Sequence, residues 1–162
     1  MHAPTAHFIH SLTALSAILV KAEAHAEAKN LKPEVLPNLR LIADMFPLWR
    51  QVTIVTDHAK GASARLAGLE VPSYPDTETT IADLQARIAK TIAFIKTIPD
   101  SAFEGAEART ITVKAGPREL TFPAMQYLHS YAVPNFYFHM STAYNILRSN
   151  GVEVGKIDFL GG

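Results

Sequence analysis

Apolar residues recur at steps of three and four along most of the chain, which is the spacing of helices that bury one face. The first stripe of such residues predicts a helix from about Thr5 to Ala28 that ends near Asn30, before Pro33. A second stripe predicts helical structure between about Glu34 and Leu69, and Pro47 should kink or restart it. Long amphipathic helices are therefore expected to fill the first part of the chain.

The second part of the chain is predicted to hold two more helical segments with a β ribbon between them. A third helix should run from about Thr77 to Pro99, with threonine hydroxyls and acidic side chains near its start. Alternating β-branched residues between Arg109 and Phe122, around the turn Ala115–Pro117, predict two short strands. The last helical region should run from Pro123 to about Ser149 and be broken at Pro134.

These elements predict an all-α four-helix bundle with a small two-stranded ribbon between helices three and four. We expect it to form one domain over residues 1–162. Two of the connections between helices are long, so neighbouring helices can run parallel to each other. The tail from Val152 to Gly162 carries apolar residues and should pack back onto the bundle.

Composition excludes several classes of protein. Fifteen basic residues balance fifteen acidic ones, which argues against nucleic-acid binding, because phosphate contacts need a basic surplus. The absence of cysteine excludes thiolate metal sites and cysteine nucleophiles. No stretch reaches the roughly 18–20 apolar residues that span a bilayer, and no signal peptide is recognisable, so we expect a cytoplasmic protein without membrane contact. The common hydrolase, nucleotide-binding and zinc-protease motifs are missing.

Two histidines are candidates for chemistry. His139 lies on the apolar stripe of the last helix and should point inward, with Asn135 one turn earlier on the same face. His58 lies at the edge of the buried face of the second helix, and antiparallel packing would bring it within about a turn of His139. His139 is then either a core histidine, satisfied by Asn135, a tyrosine or a helix-two residue, or a metal-binding or catalytic residue.

The other histidines fit less well. His129 would lie roughly 15 Å from His139 along a helix, too far for one ion to join them. Surface positions are predicted for His2, His7, His10 and His25.

Several motifs carry a resemblance to a known family. They are Asp44-Met45-Phe46-Pro47-Leu48, Asp57-His58-Ala59-Lys60-Gly61, Pro134–His139, Asn150-Gly151-Val152 and Gly155–Gly161. On these motifs the chain resembles a bacterial family of domains of unknown function. That family is placed with the DinB-like, or YfiT-like, four-helix bundles, which are often described as candidate metalloenzymes. The resemblance implies an up-down-down-up bundle, in agreement with the long connections.

In that superfamily, one histidine of helix two and a His-x3-His pair of the last helix bind a divalent metal. The resemblance matches His139 to the second histidine of the pair and places Asn135 where the first would be. The helix-two ligand would be His58, with Met45 or Gln51 as alternatives. Because asparagine is a poor ligand for zinc or nickel, we expect a degenerate site with a weakly held divalent metal or none.

Two functions follow. The favoured one is a non-catalytic bundle whose polar residues form a core network or a pocket for a small molecule. It would be a homodimer, with the aromatic residues as core or as a dimer face (Trp49, Phe136, Tyr137, Phe138, Tyr144). The alternative is a divalent-metal-dependent transferase or hydrolase. In it His58 and His139, helped by Asn135 or Asp57, would hold an ion that activates water or, by analogy with superfamily members, a thiol.

Overall fold

The computed structural model describes residues 4–162, so His2 lies outside the described residues. The helices are α1 (Thr5–Ala28), α2 (Val35–Asn38), α3 (Leu48–Ala67), α4 (Ile81–Lys96), α5 (Ala124–Gln126), α6 (Val133–Ser149) and α7 (Lys156–Leu160), and the strands are β1 (Thr110–Ala115) and β2 (Arg118–Pro123). Two short 3₁₀ turns, Asp100–Phe103 and Ala106–Ala108, precede β1, and a π-helical stretch, Tyr127–Ala132, joins α5 to α6. The protein is mostly helical with one antiparallel ribbon, as the sequence predicts.

The four long helices α1, α3, α4 and α6 enclose one hydrophobic core. In α1 the predicted stripe is buried, with Leu12, Leu15 and Leu19 wholly inaccessible to water. Burying side chains of this size contributes roughly 2 kcal/mol each to folding, which is why the stripe decides how the helix faces its neighbours. Among residues 4–162, the apolar stretches of the helices fall short of what a bilayer crossing requires.

The predicted helical segment between Glu34 and Leu69 is shorter than expected. Only one helical turn, α2, forms in its first part, and α3 begins at Leu48, directly after Pro47. Pro47 is extended, with φ −68° and ψ 165°, and a proline before the first turn costs the helix no hydrogen bond. The predicted restart at Pro47 is confirmed. The helix ends at Gly68, whose φ of 72° favours glycine.

Helix α4 begins at Ile81, a turn later than expected, because a capping box fixes its start. The Thr80 hydroxyl accepts a hydrogen bond from the Asp83 backbone N–H at 3.1 Å. In return, the Asp83 carboxylate accepts one from the Thr80 N–H at 2.9 Å. Together they satisfy two N–H groups that a helix start leaves open. The linker between α3 and α4, residues 68–80, is therefore longer than expected.

The two-stranded ribbon is confirmed. Its register pairs Ile111 with Phe122 and Val113 with Leu120. Ile111 and Val113 are buried, so one face of the ribbon packs on the helices, which a lone hairpin needs for stability. Arg109, just before β1, donates hydrogen bonds to the backbone carbonyls of Leu66 and Ala102 and thereby fastens the ribbon to the end of α3.

The predicted break at Pro134 is wrong. The chain is helical without interruption from Ala124 to Ser149, and Pro134 lies in the first turn of α6, directly after the π-helical stretch. In a regular α-helix the proline ring would collide with the carbonyl four residues earlier and would leave it without a donor. The wider π turn before Pro134 avoids this collision, so the chain stays helical there.

The tail packs back onto the bundle, as predicted. Asp158 of α7 pairs with Lys21 of α1 at 2.6 Å. The His10 ring contacts the Leu160 carbonyl at 2.8 Å. Helix α7 therefore lies against α1 and covers part of it.

Candidate functional site

Two histidines from different helices meet beside the core. His58 of α3 and His139 of α6 have their ring centroids 6.2 Å apart, with only 14° between the ring planes. Helices α3 and α6 pack against each other along much of their length, which brings the two rings to the same level. We refer to His58, His139, Gln51, Tyr131 and Asn135 as the two-histidine site.

Gln51 fixes the orientation and the tautomer of His139. The Gln51 side chain is buried, and its Nε2 donates a hydrogen bond to the Phe46 carbonyl at 3.0 Å. Its Oε1 therefore faces His139 and accepts a hydrogen bond from Nδ1 at 2.7 Å. With the proton on Nδ1, the Nε2 of His139 carries a lone pair and can accept a proton or a hydrogen bond.

Both imidazoles are neutral at pH 7. Burial, the neighbouring His139 and the charge of Arg65 lower the pKa of His58 to about 4, although Asp57 opposes the shift. Burial and then the charge of Arg50 lower the pKa of His139 below the usual 6.5. The site therefore presents two uncharged nitrogen heterocycles side by side.

Asn135 does not bind His139. Its Nδ2 donates a hydrogen bond to the Tyr131 carbonyl, one turn earlier, at 2.7 Å. Three kinds of partner were predicted for a buried His139, namely Asn135, a tyrosine or a residue of the second predicted helix. The structure has the last of these, because Gln51 lies on α3, which corresponds to that predicted helix. The Tyr131 ring contacts the His58 ring at a centroid distance of 5.9 Å, and Phe122 of the ribbon packs against Tyr131 at 5.4 Å. The ribbon and the π-helical stretch thus supply an aromatic wall.

Asp57 is turned away from the site, although it precedes His58. Its Oδ1 contacts Lys60 and Arg87, each at 3.0 Å, on the side of α3 that faces α4. Successive side chains on a helix point about 100° apart, so Asp57 and His58 lie on different faces of α3. Asp57 therefore neither orients His58 nor completes a set of metal ligands.

The residues present do not fit the metal centre of the superfamily. In the described part of the chain, residues 4–162, no three histidine or acidic side chains are grouped closely enough to hold a metal ion. Two imidazoles and one asparagine fall short of the histidine and carboxylate donors that zinc and nickel sites use. Whether the native chain holds a metal stays a prediction.

Two aromatic side chains near the site are exposed to solvent, and we call them the aromatic rim. Phe138 is 58% exposed, and its ring contacts the His139 ring at a centroid distance of 5.1 Å. Phe46 is 53% exposed and lies 5.9 Å from the Arg50 guanidinium. Such exposed aromatic side chains beside a polar site are typical of ligand-binding surfaces.

The remaining histidines lie elsewhere. His7 and His10 are exposed, as predicted, and His7 also contacts the Tyr137 hydroxyl at 3.0 Å. His129 is exposed on the π-helical stretch.

One feature of the sequence indicates that Gln51 makes a buried hydrogen bond. It lies three residues after Leu48 and one before Val52, within the apolar stripe of α3. A polar side chain on a buried face needs a hydrogen-bond partner, and here that partner is His139. From the sequence, Gln51 was expected only as an alternative to His58 as a metal ligand.

Fold and site together define a DinB-like protein, a mostly helical domain in which histidines of two packed helices meet. The model of the family described as domain of unknown function (DUF1993) matches residues 2–160, and the chain belongs to this family. A DinB family member protein from Shewanella denitrificans has a similar crystal structure, with a TM-score of 0.87. That match has 42% sequence identity and covers 98% of this chain and 89% of the other. No curated protein matches the chain.

Proposed function

We propose that this protein is a non-catalytic DinB-like bundle whose two-histidine site binds a small polar molecule. The observation that carries the proposal is the bond from His139 Nδ1 to Gln51, which leaves the Nε2 of a neutral imidazole open beside His58. A ligand with an N–H or O–H group would donate to this nitrogen and pack against the aromatic rim. In this proposal the metal centre of the superfamily is degenerate.

We also propose the up-down-down-up order of the four long helices. Gln51 near the start of α3 contacts His139, and Arg65 near the end of α3 contacts the Tyr127 hydroxyl ahead of α6 at 3.3 Å. These two contacts support antiparallel packing of α3 and α6.

Contacts between helix starts support the parallel pairs. Ser11 near the start of α1 bonds Tyr137 near the start of α6 at 3.0 Å. Arg50 at the start of α3 pairs with Asp76 in the approach to α4. Helices α1 and α6 would then run one way, and α3 and α4 the other. The homodimer and the cytoplasmic location stay predictions.

The second candidate is a divalent-metal-dependent transferase or hydrolase. It is favoured by the same Gln51–His139 bond, because a histidine that binds a metal usually has its other N–H held by an oxygen acceptor. It is disfavoured by the side chain of Asn135, where the superfamily has a histidine. The two candidates differ in whether the native chain holds metal.

Restoring the missing histidine tests the proposal. We expect the tag-free protein to contain far less than one metal per chain by elemental analysis. Asn135→His places an imidazole one turn before His139, and we expect it to bind Ni²⁺ or Zn²⁺ at one per chain and at least about tenfold more tightly. Asn145→His, at an exposed position of α6, is the matched control and should bind no more than the native chain.

The double variant Asn135→His with His139→Ala should lose the gained affinity. Native protein with one metal per chain, lost on His139→Ala alone, would support the metal-dependent enzyme and overturn the proposal.

Ligand binding has its own test. We expect a screen of small N–H and O–H donors to shift the ring resonances of His139 and His58 in NMR spectra of the native protein. His139→Phe should abolish the response of His58. If no donor shifts either ring at millimolar concentration, the site does not bind molecules of this class.

A further inference from the structure

A cavity of about 380 cubic ångströms lies between α3 and the linker that follows it. Its lining includes three charged side chains of α3, Asp57, Lys60 and Arg65, together with Val71 and Pro72 of the linker. We call it the linker cavity. Its lining, drawn from residues 4–162, contains no residue of the two-histidine site, so the inference below does not rest on the proposed function.

Asp57 is the acidic side chain of this lining, and it already has cationic partners. Its Oδ1 lies 3.0 Å from Lys60 Nζ and 3.0 Å from the guanidinium of Arg87, which reaches it from α4. Lys60 is only 4% exposed, and its Nζ also lies 4.0 Å from the centre of the Tyr74 ring. Lys60 and Arg65 carry two positive charges and Asp57 one negative charge, so the lining keeps one positive charge uncompensated.

Arg65 is the side chain that carries this uncompensated charge. It is half-buried, and its Nη1 donates a long hydrogen bond of 3.3 Å to a neutral acceptor, the Tyr127 hydroxyl. Within residues 4–162 no carboxylate pairs with Arg65, and its other N–H groups have no acceptor. A guanidinium group offers its donors in a planar fork that matches the two oxygens of a carboxylate.

Gly61 makes room for this guanidinium group. A Cβ at Gly61 would collide with Nη1 of Arg65, because the Arg65 side chain folds back one turn along α3 and lies over the glycine. Glycine in the interior of a helix costs roughly 1 kcal/mol relative to alanine. Helix α3 thus has a destabilising residue at the turn where the guanidinium lies, which indicates that the position of Arg65 matters more here than the stability of the helix.

We propose that the linker cavity binds a small organic acid, whose carboxylate is held by the guanidinium of Arg65. The planar fork would donate to both carboxylate oxygens, and the apolar part of the ligand would lie against Val71 and Pro72. A monocarboxylate has the single negative charge that the lining leaves uncompensated. The volume suits a small molecule, because ligand cavities begin at about 300 cubic ångströms.

Benzoate and benzamide test the role of charge, because they have nearly the same size and shape and only benzoate is charged at pH 7. We expect benzoate, titrated at constant ionic strength, to give saturable heat in isothermal calorimetry at one molecule per chain. In NMR spectra it should shift the Nε resonance of Arg65 and the amides of residues 71–74. Benzamide should cause neither effect. Inorganic phosphate, which carries up to two charges and would lie near Asp57, should bind more weakly than benzoate.

Three variants localise the binding. Arg65→Gln removes the charge and the fork and should weaken benzoate binding at least tenfold. Arg148→Gln, at an exposed position of α6, is the matched control and should bind as the native chain does. His139→Phe should also bind benzoate as the native chain does, because His139 does not line the cavity. Circular dichroism verifies the fold of each variant.

Gly61→Ala moves the guanidinium and keeps its charge. The atom that the new Cβ would meet is the end of a flexible side chain, so we expect the variant to fold with an unchanged or higher Tm. Benzoate binding should nevertheless weaken several-fold, and the Nε resonance of Arg65 should move in the free protein. A glycine that serves only the packing of α3 would not combine these results.

The proposal is overturned if neither heat nor chemical shift saturates with benzoate at millimolar concentration, or if benzamide or phosphate binds at least as tightly. Loss of benzoate binding in His139→Phe would place the acid at the two-histidine site and would also overturn it. Native binding by Gly61→Ala, or by a folded Arg65→Gln, contradicts the role of Arg65. If Arg65→Gln does not fold because Tyr127 loses its partner, Gly61→Ala decides.

Discussion

Asp57 and His58 lie on two faces of α3, and these faces differ in how many hydrogen bonds their central polar side chain makes. Toward α4, the Arg87 side chain is 2% exposed and donates to Thr56, Asp57, the Pro75 carbonyl and Glu78. Toward α6, His139 is half-buried, and within residues 4–162 only one of its ring nitrogens has a partner, Gln51.

This difference separates a structural polar network from the proposed binding site. The bonds of Arg87 hold α3, α4 and the linker before α4 together, although Glu78 Oε2 has no hydrogen-bond partner within residues 4–162. A neutral imidazole with an open nitrogen, beside an aromatic rim, offers both a hydrogen bond and an apolar surface. We therefore propose that the side of α3 that faces α4 serves mainly stability, and that the binding proposed for the two-histidine site belongs to the side that faces α6.

The largest expected effect is on the α4 side. Arg87→Ala would leave Asp57 and Glu78 without their shared cation. Removing one partner of a buried ion pair costs about 3–5 kcal/mol, and Asp57 remains 40% exposed, so we expect a loss near 3 kcal/mol in the free energy of unfolding by urea. Lys96→Ala, at an exposed position of the same helix, should change it little. A loss below about 1 kcal/mol for Arg87→Ala would contradict a structural role.

The second-largest expected effect is a dependence of the free energy of unfolding on pH. It arises from the histidines on the side of α3 that faces α6. In the unfolded chain His58 binds a proton below its usual pKa of 6.5, whereas in the folded protein it does so only near 4. Stability is therefore complete above pH 6.5 and falls as the pH is lowered toward 4, by up to about 3 kcal/mol. His139 shifts in the same direction and adds to the loss.

Urea unfolding between pH 7 and pH 4 measures this dependence. His58→Gln should flatten it, while His129→Gln, which removes an exposed imidazole, should leave it unchanged. A native chain as stable at pH 4.5 as at pH 7 would show that the His58 pKa is not lowered.

The smallest effect concerns Gln51. Gln51→Leu would leave the Phe46 carbonyl and the His139 Nδ1 without their partner, at a cost of about 1–3 kcal/mol in the free energy of unfolding. It should also release the ring from its fixed tautomer, which ¹⁵N NMR of the imidazole detects. Gln51→Glu restores an acceptor and, by adding a negative charge, should raise the pKa of His139. An unchanged tautomer in Gln51→Leu would mean that another group holds the ring.

Much of the fold was predictable from the sequence because it depends on repeated apolar spacing. The stripe of α1 and the alternation around Gly116 each involve many residues, so single exceptions do not obscure them. The helix start at Ile81 was harder to place, because one local contact, the capping box of Thr80, decides it.

The site was predictable only in part. Periodicity places His139 on an inner face and His58 near it, but it cannot say which side chain across the interface accepts the hydrogen bond. Arg87 was overlooked for the same reason, although its position one turn after Leu84 and before Thr91 put a charge on a buried stripe. The partners of both residues lie on α3 or in the linker before α4, and helical spacing holds no information about them.

The π-helical stretch before Pro134 has a consequence for how this family can vary. A π turn accommodates an extra residue within an otherwise regular helix. A relative one residue shorter between β2 and α6 would keep Asn135 and His139 where they are. Its equivalent of Tyr131 would rotate by about 100° and no longer cover His58. The length of this short segment, together with the identity of Tyr131, therefore determines whether an aromatic ring covers His58.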